Sequence, residues 1–155
     1  MGVYRIRLDD SGDPVFLPVV ISIPADSVAT RRQLVGPLRN TVSTRLVLDS
    51  GSRLSCLSYP VLEPLNAPCA GPLRLQTAAG TRMVDRFRVR LEFPPGTLKP
   101  IPDVTVARIQ MPAKLSTYGG VIGRDILDQW EFFWSGFRRR LATRDYPSFW
   151  GWLLS

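Results

Sequence analysis

The triplet Asp-Ser-Gly occurs twice in this chain, at Asp10-Ser11-Gly12 and at Asp49-Ser50-Gly51. It offers a carboxylate, a hydroxyl and a glycine that lets backbone approach closely. Histidine is absent from all 155 residues, which excludes Ser-His-Asp and Cys-His nucleophilic catalysis, histidine-ligated metals and histidine pH sensing. Carboxylate chemistry remains open: a water held between two acids, one ionised to take its proton, one protonated to polarise a carbonyl and later protonate an amine. The first triplet sits in the cluster Asp9 to Pro14, where Asp and Gly satisfy turn geometry. The second follows Leu46-Val47-Leu48, an unalternating apolar run, so a strand buried on both faces delivers Asp49 to the edge of a core. An acid placed there must be hydrogen-bonded, paired or functional.

Short β elements must position that acid, because 14 prolines and 12 glycines cut the chain into segments too short for long helices. Strands are predicted over Val3 to Leu8, Val15 to Ile23, Thr44 to Leu48 and Val104 to Ile109. A long connection is predicted from Ala25 to Asn40. Pro60, Pro64, Pro68 and Pro72 mark a loop in which a short turn of helix is allowed. Leu73 to Thr77 and Met83 to Phe93 form a predicted hairpin with a small tip at Ala78-Ala79-Gly80-Thr81. In its second arm Phe87, Val89, Leu91 and Phe93 share one face and Arg86, Arg88, Arg90 and Glu92 the other. One or two turns of helix are expected after the run Val121 to Leu127, then a second hairpin over Trp130 to Trp134 and Phe137 to Thr143. A single domain over 1–155 is expected, with its core at about 15–143 and an aromatic tail at 144–155.

Leu46-Val47-Leu48-Asp49-Ser50-Gly51-Ser52, with Ser55 and Leu57 at the matching offsets, resembles the active-site strand and loop of retropepsin-like aspartic proteases. Val121-Ile122-Gly123-Arg124-Asp125-Ile126-Leu127 is similar to that family's second signature, and Gln76 to Thr81 falls where the family places its flap. The resemblance spans about residues 15–143. It implies an all-β acid-protease barrel with a flap hairpin and one short helix after the second signature. It also implies an aspartic endopeptidase acting on a protein or peptide substrate. Asp49 would be the catalytic acid, supported by Ser50, Gly51 and Ser52, beneath a flap of Thr77, Ala78, Ala79, Gly80 and Thr81. The second signature would be Val121, Ile122, Gly123 and Arg124. One credible Asp-Ser-Gly is half of such a site, so a twofold homodimer supplies the other acid. The alternative within the same fold is a catalytically weak or inactive module that dimerises or binds peptides.

One departure stands out: retroviral members commonly carry an acid at the position of Arg53, paired with the arginine of the second signature. Arg53 and Arg124 cannot form that pair, so either another acid such as Asp125 or Asp128 compensates or the dimer interface is built differently. The plainer expectations are that Asp125 caps a helix, that Ser52 and Ser55 make local hydrogen bonds, and that Cys56 is a small buried hydrophobe. Trp130, Phe132, Trp134 and Phe137 are expected in a core or a dimer contact.

Lys plus Arg number 20 against 13 Asp plus Glu, giving +7 and a pI near 10.2. A nucleic-acid partner is one use of such charge. The arginines are dispersed, however, with runs only at Arg31-Arg32 and Arg138-Arg139-Arg140, so a basic solvated surface is favoured. Cys56 and Cys69 lack both CxxC spacing and histidine co-ligands, so neither metal nor cofactor is expected; a bridge between them or a reduced pair is equally allowed. No apolar run approaches the roughly 20 residues that span a bilayer, and no signal-peptide layout is visible. A cytoplasmic location is favoured, and the apolar end from Phe149 to Ser155 is expected at an interface with a partner subunit.

Overall fold

The computed structural model describes residues 3–7, 13–28, 39–77, 80–135 and 140–145. Ten strands are placed there: β1 Val3–Arg7, β2 Phe16–Ser22, β3 Thr41–Leu48, β4 Cys56–Ser58, β5 Cys69–Thr77, β6 Gly80–Glu92, β7 Ile101–Ile109, β8 Gly120–Ile122, β9 Trp130–Ser135 and β10 Arg140–Asp145. Two short helices, α1 Tyr59–Leu65 and α2 Arg124–Leu127, accompany them.

Six strands close into a barrel in the order β2-β3-β8-β4-β7-β6, because β2 pairs β6 through Ile21 and Leu91. The strict alternation in β6 explains this closure. Val89 and Leu91, with Phe93 just beyond the strand, are buried against Leu17, Val19 and Ile21 of β2, while the arginine face looks outward. β5 pairs only β6 and continues the hairpin beyond the barrel wall, with Thr77 opposite Gly80 at its tip. The all-β architecture is therefore as expected.

The connection that matters most is parallel. Leu46, Val47 and Leu48 of β3 pair Gly120, Val121 and Ile122 of β8, although more than 70 residues separate them. β8 is also flanked by antiparallel β4, so it threads between two strands that precede it in the chain. A second sheet joins the two ends of the chain: β1 pairs β10, which pairs β9. Trp130 anchors that sheet to the barrel by stacking edge-on against Phe93, ring centroids 5.3 Å apart.

Several expected boundaries move. β3 begins at Thr41 rather than Thr44, since Thr41-Val42-Ser43 pairs with Ser22, Ile21 and Val20 of β2. β5 begins at Cys69 rather than Leu73 and contains Pro72. That is tolerable because β5 is an edge strand with no outer neighbour among the described residues that needs the missing N–H, and Gly71 at φ 89° takes up the bulge. In the proline-rich segment the allowed turn of helix is the seven-residue α1, which holds Pro60 and Pro64, while Pro68 lies in the loop that follows. Pro60 lies in its first turn, where an N–H has no intrahelical partner. Pro64 costs about 3 kcal/mol in a helix; burial of Val61, Leu62 and Leu65, at about 1.5–3 kcal/mol each, outweighs it. Helix α2 lies inside the run Val121 to Leu127, not after it. Most of the connection from Ala25 to Asn40, the tip of the second hairpin and the tail from residue 146 lie outside the described residues.

Candidate active site

Asp49 is the first residue beyond β3. Its N–H donates to the Ile122 carbonyl at 3.0 Å, so the rung that ends the β3–β8 pairing also fixes where the acid begins. The chain then turns: the Ser52 N–H donates to the Asp49 carbonyl at 3.1 Å and the Gly51 N–H to Asp49 Oδ1 at 2.8 Å. One carboxylate oxygen is thereby oriented, and the side chain is otherwise open to solvent. A side chain at position 51 would crowd that oxygen, since its Cβ would stand 3.1 Å away.

The loop after Asp49 is locked to the second signature by two backbone rungs. Arg124 N–H donates to the Ser52 carbonyl at 2.9 Å and Asp125 N–H to the Arg53 carbonyl at 3.3 Å. A partly buried cluster completes the lock. The Asp125 carboxylate accepts the Ser55 N–H at 2.9 Å and the Ser55 hydroxyl at 2.7 Å, and Ser55 Oγ in turn accepts the Gly123 N–H at 3.0 Å. Gly123 is required here because a Cβ would lie 2.6 Å from the Leu54 carbonyl carbon and oxygen.

Two expectations are corrected by this cluster. Asp125 is not the cap residue of α2, a position held by Gly123 without a side-chain bond; its carboxylate accepts the first-turn Ile126 N–H at 3.0 Å and also reaches back 70 residues to Ser55. Ser55 accordingly bonds across the fold rather than locally. Ser52 does bond locally, to the Leu54 carbonyl at 2.9 Å. Asp125 also does not compensate for the charge at Arg53, and neither Arg53 nor Arg124 makes an ion pair among the described residues.

The other predicted residues fall as follows. Ser50 is exposed and borders a depression of about 630 Å³ walled by Leu48, Leu127, Trp130 and Phe132, with Arg124 and Asp128 supplying polar atoms. Val121 is half-buried, Ile122 and Gly123 are buried, and Arg124 is exposed. At the hairpin tip Thr77 pairs Gly80, and Thr81 Oγ1 donates to Gln76 Oε1 at 2.7 Å. Ala78 and Ala79 lie outside the described residues. No three His, Cys, Asp or Glu side chains are grouped as a metal site would need, among the described residues.

Both cysteines are free thiols, Cys56 buried and Cys69 exposed. Burial pushes the Cys56 thiol up to about 11, and the charges of Asp125 and Asp49 push the same way. Native protein at pH 8 is expected to release one equivalent of thiol rapidly to an aromatic disulfide reagent and the second only in denaturant; two fast equivalents would contradict this burial. Folding also retains a proton that the unfolded thiol loses near pH 9. Stability owed to Cys56 is thus intact below pH 9 and falls as pH rises toward 11, by up to ~1.4 kcal/mol per unit. Thermal melts should show a shallower alkaline decline for Cys56→Ala than for wild type.

With the geometry in place, comparison with solved structures decides the fold. A retropepsin-like aspartic protease from Rickettsia conorii superposes with a TM-score of 0.56, at 10% identity over 92% of this chain and 90% of that one. The EIAV protease complexed with an inhibitor gives 0.52, at 15% identity over 78% and 91%. The chain has the retropepsin fold. No protein-family model and no curated protein matches it. Within the retropepsin fold, the parallel β3–β8 pairing and the locked loop are what set Asp49 at a barrel end, and at 10–15% identity the shared backbone is the whole of the likeness.

Proposed function

We propose that the chain is an aspartic endopeptidase that works as a homodimer, with Asp49 of each subunit forming the catalytic pair. The observation that carries this reading is an exposed carboxylate at the end of a barrel strand, with one oxygen oriented by the Gly51 N–H and its loop held by Asp125 and Ser55. The nearest acid built into the same loop system, Asp125, has its oxygens engaged by Ser55 and by the Ile126 N–H. Of these two acids only Asp49 is presented to water, and on this reading a second chain related by a twofold axis supplies its partner.

In such a pair two carboxyl groups about 3 Å apart cannot both ionise and share one proton. The ionised Asp49 removes a proton from the bound water as it attacks the scissile carbonyl. The protonated Asp49 donates to the developing oxyanion, and proton return to the nitrogen expels the amine. The Ser50 hydroxyls brace the two loops across the axis. The hairpin β5–β6 closes over an extended peptide, which it binds through strand-like main-chain hydrogen bonds. The depression beside Ser50, with Phe132 40% exposed on its wall, supplies apolar surface for the subunit contact.

The test is the dependence of rate on protein concentration. Below the dimer dissociation constant, hydrolysis of an unfolded protein or peptide library is expected to rise with the square of the concentration, and sedimentation to show a 34.8 kDa species, twice 17.4 kDa, that populates in step. A rate strictly proportional to concentration, with only the 17.4 kDa species present at every dilution and with a substrate analogue, would refute the shared site.

A further inference from the structure

Two cations rooted in the Asp49 loop and in the segment bonded to it, Arg53 and Arg124, make no ion pair among the described residues. Several other described arginines are engaged, while Arg74 and Arg82 on the β5–β6 hairpin, like these two, make no ion pair among the described residues. Arg88 bridges Asp26 and Asp103, Arg90 meets Glu92 at 2.7 Å, and Arg108 meets Asp85 at 2.7 Å. Arg45 lies 5.1 Å from both the Phe16 and Tyr118 rings, and Arg86 donates to the Ala70 carbonyl. Arg53 and Arg124 are exposed and carry no such bond. They are rooted on neighbouring rungs, since Arg124 N–H bonds the Ser52 carbonyl and Asp125 N–H bonds the Arg53 carbonyl. Their Cα positions are thus held by the same lock that holds the Asp49 loop. Asp125, adjacent to Arg124, is turned inward onto Ser55, and Asp128 borders the same depression as Arg124 without pairing with it.

A guanidinium fixed at its root, exposed at its tip and lacking a protein carboxylate is arranged to accept one from a ligand, bidentately where geometry allows. We propose that Arg53 and Arg124 form a carboxylate-binding site at the rim of the Asp49 loop, which selects peptides with Asp or Glu flanking the bond presented to Asp49. The selection rests on the endopeptidase reading; the carboxylate site itself does not. In a twofold dimer the site occurs once on each side of the pair, so acidic residues are favoured on both sides of the scissile bond.

The experiment uses fluorescently labelled peptides that share one sequence and differ only in carrying Glu or Lys at the flanking positions. Anisotropy with wild-type protein at low salt is expected to give about tenfold tighter binding of the Glu peptide, shrinking at 0.5 M salt as screening grows. Arg53→Glu combined with Arg124→Glu should invert the preference. Arg39→Glu combined with Lys99→Glu changes net charge equally. Arg39 lies beyond the far end of β3 from Asp49, and this second pair should leave the preference in place. Equal affinities, no measurable binding, or the same loss from both double variants would overturn the proposal. Cleavage of the same peptides separates the two readings. An acidic preference in binding without any hydrolysis counts against the endopeptidase alone, and hydrolysis without charge preference counts against the carboxylate site alone.

Discussion

Asp49→Asn is expected to lower peptide hydrolysis by about 10³-fold or more while moving the melting temperature by no more than about 2 °C. The rate effect follows from chemistry. In the proposed dimer the variant has two amides where the reaction needs one group that accepts a proton from water and one that donates to the carbonyl, and losing positioned acid–base catalysis costs about 10²–10⁴-fold even when binding survives. The small stability effect follows from the environment. Asp49 is exposed and its one side-chain partner among the described residues is the Gly51 N–H, which an asparagine oxygen also accepts, and exposed substitutions of this kind stay within about 0.5 kcal/mol. Retained folding with lost hydrolysis, in a single preparation assayed by circular dichroism and peptide cleavage, is therefore the expected signature. Equal hydrolysis by variant and wild type would remove Asp49 from the chemistry and with it the endopeptidase. Unimpaired peptide binding by the inactive variant would show in addition that the hairpin and rim recognise peptide independently of the acid.

What could be read from the sequence divides by the range of the interactions involved. The β6 arm was legible because its period of two is written in consecutive residues, from Arg86 to Phe93, and its burial follows that pattern. The placement of Asp49 was legible because Leu46-Val47-Leu48 lacks alternation, which is how a strand buried on both faces is composed. Strand ends were less so: Thr41-Val42-Ser43 extends β3 only because β2 is there to pair it, and α1 forms in a proline-rich segment only because Val61, Leu62 and Leu65 have a barrel to pack against. The pairing of β1 with β10 joins opposite ends of the chain and has no local signature. The same holds for the lock on the active loop. Asp125 beside a glycine at the start of a helix looks like a cap by local rules, and nothing near it in sequence points to Ser55. The one available hint was the missing acid at position 53, which predicts that the two signatures must be joined by something other than the Arg53–Arg124 pair.

Asp125→Ala is expected to be the most damaging single change among the polar residues of the site, costing about 2–4 kcal/mol and lowering the melting temperature by roughly 5–15 °C. The Asp125 carboxylate accepts two donors from Ser55, the N–H at 2.9 Å and the hydroxyl at 2.7 Å, and Ser55 is only 2% exposed. Truncation leaves both donors buried, without the acceptor that water would otherwise replace, and charge-assisted bonds are the stronger kind. Ser55→Ala breaks the same cluster differently. It removes the hydroxyl, orphans the buried Gly123 N–H that now donates to it at 3.0 Å, but leaves Asp125 able to accept the backbone N–H of residue 55. Its cost should be smaller, about 1–3 kcal/mol. Because the two side chains share one network, the double variant Asp125→Ala, Ser55→Ala is expected to cost less than the sum of the singles by at least about 1 kcal/mol. Strict additivity in urea unfolding would mean that the cluster is not a unit. Hydrolysis gives the second readout. The cluster anchors the residues that follow Asp49 to those that precede α2, so a variant that still folds at low temperature should lose kcat as its Asp49 loop loosens, with little change in KM if the hairpin and rim arginines carry peptide binding. A variant whose melting temperature falls while kcat at low temperature stays at the wild-type value would mean that the lock stabilises the barrel without positioning the acid.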